Sequence, residues 1–404
     1  MALLPVKDAL HQLLENAHKL GSETVPVGEA AGRVLATPLA ALRTQPPFPA
    51  SAMDGYAVRT DDLRTVPATL QVIGEAPAGH GYSGRVTAGQ AVRIFTGAPV
   101  PEGADAILIQ ENAKAGADGT VTAISTVEPE KFVRRAGLDF TEGETLLEEG
   151  RNLDAAALSL AAAANHATLQ VVRRPKLAIL ATGDELLPPG SNPGPDQIIA
   201  SNSYGVASIA AQLGAEIVDL GIVADNKAEI STAIETARHH HADVIVTLGG
   251  ASVGDHDLVR EVLEELGMQL DFWRIAMRPG KPLMVGRLAD IHVLGLPGNP
   301  VSSIVCTHLF LVPLLSKLGG TQYRPDVRAA NLAKPLAEND EREDYIRARV
   351  TASPNGLEAH PFGKQDSSML KVLAAANGLI IRPVRAPAAV AGDECQVLML
   401  RDPE

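Results

Sequence analysis

Cysteine is almost missing from this chain: Cys306 and Cys395 are the two present in 404 residues. Two thiols exclude a disulfide framework, a Cys-rich zinc site and an iron–sulfur cluster, and they point to a reducing compartment. Aromatic residues are scarce too, at 3% with a single Trp, which removes the stacking platforms that single-stranded nucleic acid needs. Positive charge is in deficit, since 35 Lys and Arg against 48 Asp and Glu leave a formal charge of −13. That balance argues against a nucleic-acid binder, which needs a basic face for phosphates, but leaves room for one locally basic pocket. Long hydrophobic runs are missing too. The most apolar internal stretch is read as Ala155–Ala164, ten residues, whereas a bilayer span takes about 18–20. The N-terminal apolar run is broken by Lys7 and Asp8 and is too short for a signal sequence. The expectation is a cytoplasmic protein with no nucleic-acid and no membrane partner.

What is present is a globular composition, 46% hydrophobic and 21% charged, long enough for two to four domains at roughly 150 residues each. Residues 5–19 place apolar side chains at helical spacing and stop at Gly21. The Pro cluster QPPFP (45–49) cannot be a helix interior or a central strand and reads as a boundary. Between 54 and 135, short β-type runs (LQVIG, AVRIF, AILIQ, TVTAI) alternate with turn residues and predict an all-β module. The Ala-rich stretch 154–165 predicts a helix. From 176 the grammar changes to strands at 176–180, 216–223, 243–250, 271–276, 283–286 and 291–296. Helices near 203–213, 227–240, 257–266 and 300–318 alternate with them. Such alternation predicts a doubly wound, mainly parallel sheet covered on both faces. After Arg324 the runs 344–350, 356–362, 378–383 and 395–400 predict a C-terminal β barrel.

Ligands of an open α/β sheet bind outside the carboxyl ends of its parallel strands. In this chain those ends read ATGDELLPPG, ADN, GGASVGDHD and LPGNPVSS, so one crevice is expected to collect Asp184, Glu185, Asp225, Asp255 and Asp257. LPGNPVSS is the strongest anion signal. Gly298 allows close backbone approach, Asn299 suits an N-cap and Pro300 the first helical position, leaving Val301, Ser302 and Ser303 to offer free N–H groups. A capped helix with no ligand explains this loop equally well on its own. RPGKP (278–282) places Arg278 and Lys281 beside a glycine, as a phosphate contact or an ordinary turn with solvated ends. Asp54-Gly55 in SAMDGYA reads as a turn, the His239–His241 run as the polar end of a helix rather than a metal site, and Cys306 as core. Carboxylates and phosphates repel unless a cation bridges them, and Mg²⁺, a hard ion, is the expected bridge.

The segments SAMDGYA, IFTGAPVPEGADAI, GLDF, TGDEL, GGASVGDHD, RPGKP and LPGNPVS follow one another here in the order typical of the MoeA/gephyrin E-domain family, which the chain resembles from about residue 5 to its end. The resemblance implies an α/β molybdopterin-binding domain (1–22 and 176–322), an elongated connecting domain (23–45 and 140–175), a β-rich module (46–139) and a C-terminal β-barrel domain (323–404). It implies a homodimer with each site between the α/β domain of one subunit and the β module of the other. The activity implied is molybdenum cofactor biosynthesis: Mg²⁺-dependent insertion of molybdate into adenylylated molybdopterin with release of AMP.

Carried over motif by motif, the resemblance implies catalytic roles for Asp54, Asp139, Glu185, Asp225 and Asp257, with Glu185, Asp225 and Asp257 as metal ligands. Substrate contacts are implied for Thr96, Gly249, Gly250, Ser252, Gly254, Arg278, Lys281, Pro297, Gly298, Asn299, Pro300, Ser302, Arg347 and Ser367. Three departures from the pattern stand out: Arg278 where many relatives have Lys, Asp366 where Gly is common, and EREDYIR, which leaves Arg342 and Arg347 both open. Transient contact with an adenylyltransferase and with apo-molybdoenzymes is implied as well. The rival readings are a molybdopterin adenylyltransferase, which shares the α/β loops without the 46–139 module, and a non-catalytic molybdopterin-binding scaffold.

Overall fold

A computed structural model of the chain describes residues 3–249 and 258–403. The chain divides into two units, residues 1–23 with 172–404 and residues 24–171. It crosses between them twice, in a ribbon where Ser22–Pro26 lies beside Thr168–Val172.

The first unit holds a six-stranded sheet. Its order is Glu216–Val223, Lys176–Thr182, Val244–Leu248, Ile291–Leu296, Pro282–Leu288 and Gln269–Arg274. The first four strands are parallel, as expected, and the last two are added by antiparallel pairings, so that Pro282–Leu288 runs against the other five. The reversal follows from a connection too short for a crossover: Leu288 and Ile291 are register partners with only Ala289 and Asp290 between them. Side chains alternate across the sheet with a period of two. Leu177, Ile179 and Ala181 face a layer made by the helices Val6–Glu15, Asn202–Gln212 and Pro300–Leu318. Ala178 and Leu180 face the helices Lys227–His239 and Leu258–Glu265. Both faces are therefore dry, which is why these strands read as continuous apolar runs.

The helix Pro300–Leu318 corrects the reading that no internal stretch reaches the length of a bilayer span. It is long and apolar enough to cross a membrane, yet 72% of that window is buried inside the protein. Within it, residues Thr307–Leu311 form a π turn and the Val312 N–H donates to the Thr307 carbonyl. The widened turn sits just before Pro313, which has no N–H to give to the helix ladder. At the other end of the sheet, the His239 run closes a helix as expected: His240 is the C-cap and His241 takes a positive φ of 54°.

The C-terminal strands Val327–Leu332, Glu343–Ser353, Gly356–Pro361, Gly378–Arg382 and Glu394–Met399 form a closed barrel, because Glu343–Ser353 pairs with both Gly356–Pro361 and Gly378–Arg382. Ala348, Val350, Ala359, Ile380 and Val397 fill its interior.

The second unit, 24–171, is built on a sheet in the order Ala106–Ile109, Gly55–Val58, Gln90–Ile94, Ala68–Ala76, Thr120–Ala123 and Ala113–Ala115. The expected turn at Asp54-Gly55 is corrected here. Gly55 opens an inner strand, and a Cβ at that position would lie 2.1 Å from the Leu108 carbonyl oxygen. Glycine is required by backbone approach rather than by a turn. The helix Ala155–Ala163 is capped by Asp154, which accepts the Ala157 N–H at 2.9 Å.

Candidate functional site

In the α/β unit, the parallel strand ends open onto a crevice of about 770 Å³. Glu185, Asp225, Gly249, Pro297, Gly298, Asn299 and Pro300 of the predicted set line it. Its floor is built from glycine and threonine. Gly249 has a φ of 101°, and a Cβ there would meet the Thr182 carbonyl at 2.6 Å. The opposite loop lies at ordinary contact distance: a Cβ on Gly298 would stand 3.9 Å from the Gly249 Cα. Thr182, 4% exposed, lines the crevice with a buried Oγ1 that has no hydrogen-bond partner among the described residues.

The carboxylates are gathered at the same strand ends. The Asp225 N–H donates to the Asp184 carboxylate at 3.0 Å, locking the second strand end to the first. Burial pushes the Asp225 carboxyl above its usual range, and the negative charges of Asp184 and Glu185 push it the same way. This crowding of like charge is what a bound cation would relieve.

The helix start at LPGNP differs from the expected row of free N–H groups. The Val301 N–H donates to the Ser367 carbonyl at 3.0 Å and the Ser303 N–H to the Asn299 carbonyl at 2.9 Å. Ser302 is buried, 4% exposed, and does not line the crevice. The loop is held instead by Asn202, whose side-chain amide donates to the Gly298 carbonyl at 2.7 Å. Ser367 therefore acts through its backbone, and it is the next residue, Ser368, that reaches the crevice. Asp366 sets that hydroxyl by accepting the Ser368 N–H at 2.8 Å and its Oγ–H at 2.6 Å.

Arg347, 1% exposed, lies behind this strap and not in the crevice. Its N–H donates to the Gln365 side chain at 3.0 Å and its guanidinium to the Asp366 carbonyl at 3.1 Å. Arg342 is paired with Asp340 at 2.9 Å. Arg278 is likewise committed, to Asp344 at 2.6 Å and Asp340 at 3.4 Å, so the picture of a turn with two solvated basic ends is corrected for this residue. The barrel strand that pairs with Met277–Arg278 carries Asp344, a partner that spacing around RPGKP could not reveal. Lys281 is exposed, next to the crevice-lining Pro282. Gly250, Ser252, Gly254 and Asp257 lie outside the described residues, as does Asp255.

The unit 24–171 holds the remaining predicted residues. Asp54 accepts the Thr96 N–H and the Thr96 Oγ–H, each at 2.8 Å. Those two bonds hold its carboxyl below the usual range, with Arg93 helping. Arg93 stacks between Tyr56 and Phe95, 5.1 and 4.9 Å from the ring centres, and donates to the Gly55 carbonyl at 3.0 Å. Asp139 lines a separate cavity of about 500 Å³ in this unit.

Family models cover most of the sequence: the MoeA N-terminal region (domains I and II) matches residues 4–165, a probable molybdopterin binding domain 178–317, and the MoeA C-terminal region (domain IV) 329–400. A molybdopterin molybdenumtransferase of Haemophilus influenzae is 36% identical over 89% of this chain and 89% of its own length. The chain belongs to the MoeA family. Another relative of that name, from a Nostoc species, is 36% identical over 98% of this chain and 93% of its own. Two crystal structures of molybdopterin biosynthesis MoeA proteins from Pyrococcus horikoshii superpose with TM-scores of 0.86 and 0.81 at 29% and 27% identity. They cover 99% and 98% of this chain and the whole of theirs.

Among the described residues of this family member, no three of His, Cys, Asp and Glu close into a metal cage. Mg²⁺ does not require one, since it is held by one or two carboxylates together with waters and substrate phosphates. Glu185 and Asp225 supply such hard oxygens beside the crowded Asp184, so the residues present fit the ion. Sequence reasoning missed Thr182, Asn202 and Ser368 as crevice residues. Asn202 and Ser368 carry no motif signal, while the position of Thr182 at the end of a buried strand run was the available clue.

Proposed function

We propose that the chain is a molybdopterin molybdenumtransferase that inserts molybdate into adenylylated molybdopterin with Mg²⁺ dependence and release of AMP. The observation that supports this best is the crevice itself, where Glu185 and Asp225 stand on the same strand ends as the backbone-exposing Gly249 and Gly298. A carboxylate-bearing wall facing glycine-rich loops suits a phosphoanhydride bridged by a cation. Glu185 and Asp225, with Asp257, would hold the Mg²⁺, whose charge offsets that developing on the phosphoryl oxygens. Asn202 and Asp184 keep the two opposing loops in place. Lys281, Ser368 and the LPGNP backbone orient the anionic groups, with Gly250, Ser252 and Gly254 in the same role. Asp54 presents Thr96, and Asp139 completes the polar set in the 24–171 unit. Arg347 and Ser367 serve by fixing the strap that carries Ser368, and Arg278 by anchoring its turn to the barrel.

This reading keeps the four-domain division given above, a homodimer that brings a β module to each α/β crevice, a cytoplasmic location, and transient contact with an adenylyltransferase and apo-molybdoenzymes. The test is a single-turnover reaction of purified protein with adenylylated molybdopterin, molybdate and Mg²⁺, following AMP release and reconstitution of an apo-molybdoenzyme. Molybdate-dependent AMP release with reconstitution upholds the proposal. Nucleotide binding without turnover would identify a scaffold, and adenylylation of free molybdopterin by ATP would identify an adenylyltransferase.

A further inference from the structure

The cavity of about 500 Å³ in the 24–171 unit is walled by Arg43 and Arg134, with Gln45, Phe48, Leu138 and Asp139 between them. Backbone pairing fixes both arginine-bearing segments. Arg134 stands in register with Ala50, and the Gln45 N–H donates to the Phe140 carbonyl at 2.9 Å.

The arginines of this unit are otherwise engaged. Arg59 and Arg64 pair with Asp61, Arg85 with Glu102, Arg135 with Glu130 and Arg151 with Asp154. Arg93 donates to Gly55 and Gln110, and Arg33 has a partner as well. Of the nine arginines between 24 and 171, Arg43 and Arg134 alone have side chains that make no hydrogen bond or ion pair among the described residues. Both line the same concavity. Arg135, the immediate neighbour of Arg134, is paired, so the lack of a partner is not a general feature of that loop.

Asp139 shares the cavity without closing an ion pair to either guanidinium. Two positive groups against one negative leave the wall at a net +1 on a chain of −13. Phe48 and Leu138, 38% and 65% exposed, add apolar side chains to the same wall. Each arginine brings a planar fork of N–H donors that matches the oxygen spacing of a tetrahedral oxyanion. A molecule whose overall field repels anions needs such a local reversal of sign to hold one.

We infer that this cavity binds a tetrahedral oxyanion between Arg43 and Arg134. Under the function proposed above, on which the choice of occupant rests, that oxyanion is free molybdate or a phosphate group of the substrate. The test is a calorimetric titration of the full chain with molybdate alone and with inorganic phosphate alone, at fixed ionic strength and without nucleotide, pterin or Mg²⁺. Arg43→Gln and Arg134→Gln should each weaken binding about tenfold, the worth of one charge-assisted contact. Asp139→Asn should tighten it severalfold by removing the opposing charge. Both arginines are exposed, so unchanged melting temperatures would show that the variants are folded.

Binding of molybdate well above phosphate names free molybdate as the occupant, and comparable binding names the substrate phosphate. Either upholds the site. No binding to the native chain, or equal affinity in both arginine variants, overturns it. So does weaker binding in Asp139→Asn, which would mean that the cavity holds a cation. Anion binding without AMP release in the turnover reaction would leave this site standing while the proposed function fell.

Discussion

Thr247 shows how the environment of a single atom decides the effect of a substitution. Its side chain is 0% exposed, in the central strand Val244–Leu248, and its Oγ1 has no hydrogen-bond partner among the described residues. A buried hydroxyl without a partner costs about 1–3 kcal/mol of desolvation, so Thr247→Val should leave stability unchanged or raise it by about 1 kcal/mol in urea unfolding. A clear loss would mean that an ordered water satisfies the hydroxyl. Asp54 is the opposite case, a carboxylate with two donors from Thr96. Its folded-state pKa lies below the ordinary 3.8. The contact is therefore fully present above the unfolded carboxylate pKa and fades as pH falls through the folded one. Thr96→Val removes the Oγ–H donor and keeps the N–H, so the Asp54 titration midpoint, followed by carbon NMR, should move up towards 3.8. An unmoved midpoint would transfer the depression to the backbone bond and Arg93.

At the scale of elements, the strand pair that closes the barrel is prolonged by a side chain that imitates a strand. Asn377, 2% exposed, accepts the Val350 N–H at 2.6 Å and donates to the Val350 carbonyl at 2.9 Å. Asn377→Ala leaves both backbone groups unpaired in a dry interior and should cost about 2–4 kcal/mol, read as a lower denaturation midpoint of the 172–404 unit. No periodicity announces such a residue, and this marks where the sequence stops being legible. The α/β elements were readable because both sheet faces are buried: KLAIL and DVIVTL are apolar on every side, and helices 227–239 and 300–318 carry their own caps and breaks. The antiparallel end of the sheet was not, because a buried hairpin strand is as apolar as a parallel one. The strand Gly55–Val58 was hidden behind an Asp-Gly pair that serves backbone approach. In the site, the loops that expose glycine could be placed from their position after strands. Arg278 could not, since its partners Asp340 and Asp344 come from the barrel. Nor could the Ser367 carbonyl on Val301, since a tertiary contact carries no mark in the sequence of the helix that receives it.

At the scale of the whole chain, residues 24–171 interrupt a unit that begins at the N-terminus and resumes at 172. Each hydrophobic core cluster lies wholly on one side of that division: Ala9, Leu13 and Leu177 with the α/β core, Leu35, Leu153 and Val171 with the insert. The two crossings are side by side, since the Val27 N–H donates to the Ala167 carbonyl at 3.0 Å and the Arg173 N–H to the Gly21 carbonyl at 2.8 Å. An insert whose ends meet can be removed without opening a gap in its host, and closing so short a loop costs little chain entropy. Deleting 24–171 and joining 23 to 172 through a two-residue Gly-Ser link should therefore leave a soluble chain that melts in one cooperative transition. Arg173 and Lys176 would keep their bonds to Asp243 at the start of the central strand, at 2.5 to 2.8 Å. The shortened chain lacks Asp54, Thr96 and Asp139, so AMP release should vanish while nucleotide binding in the crevice persists. Calorimetry and a fluorescent-nucleotide titration on the same sample separate the two. A shortened chain that aggregates would show that the α/β and barrel cores do not suffice without the insert, and one that still released AMP would remove the insert from the chemistry.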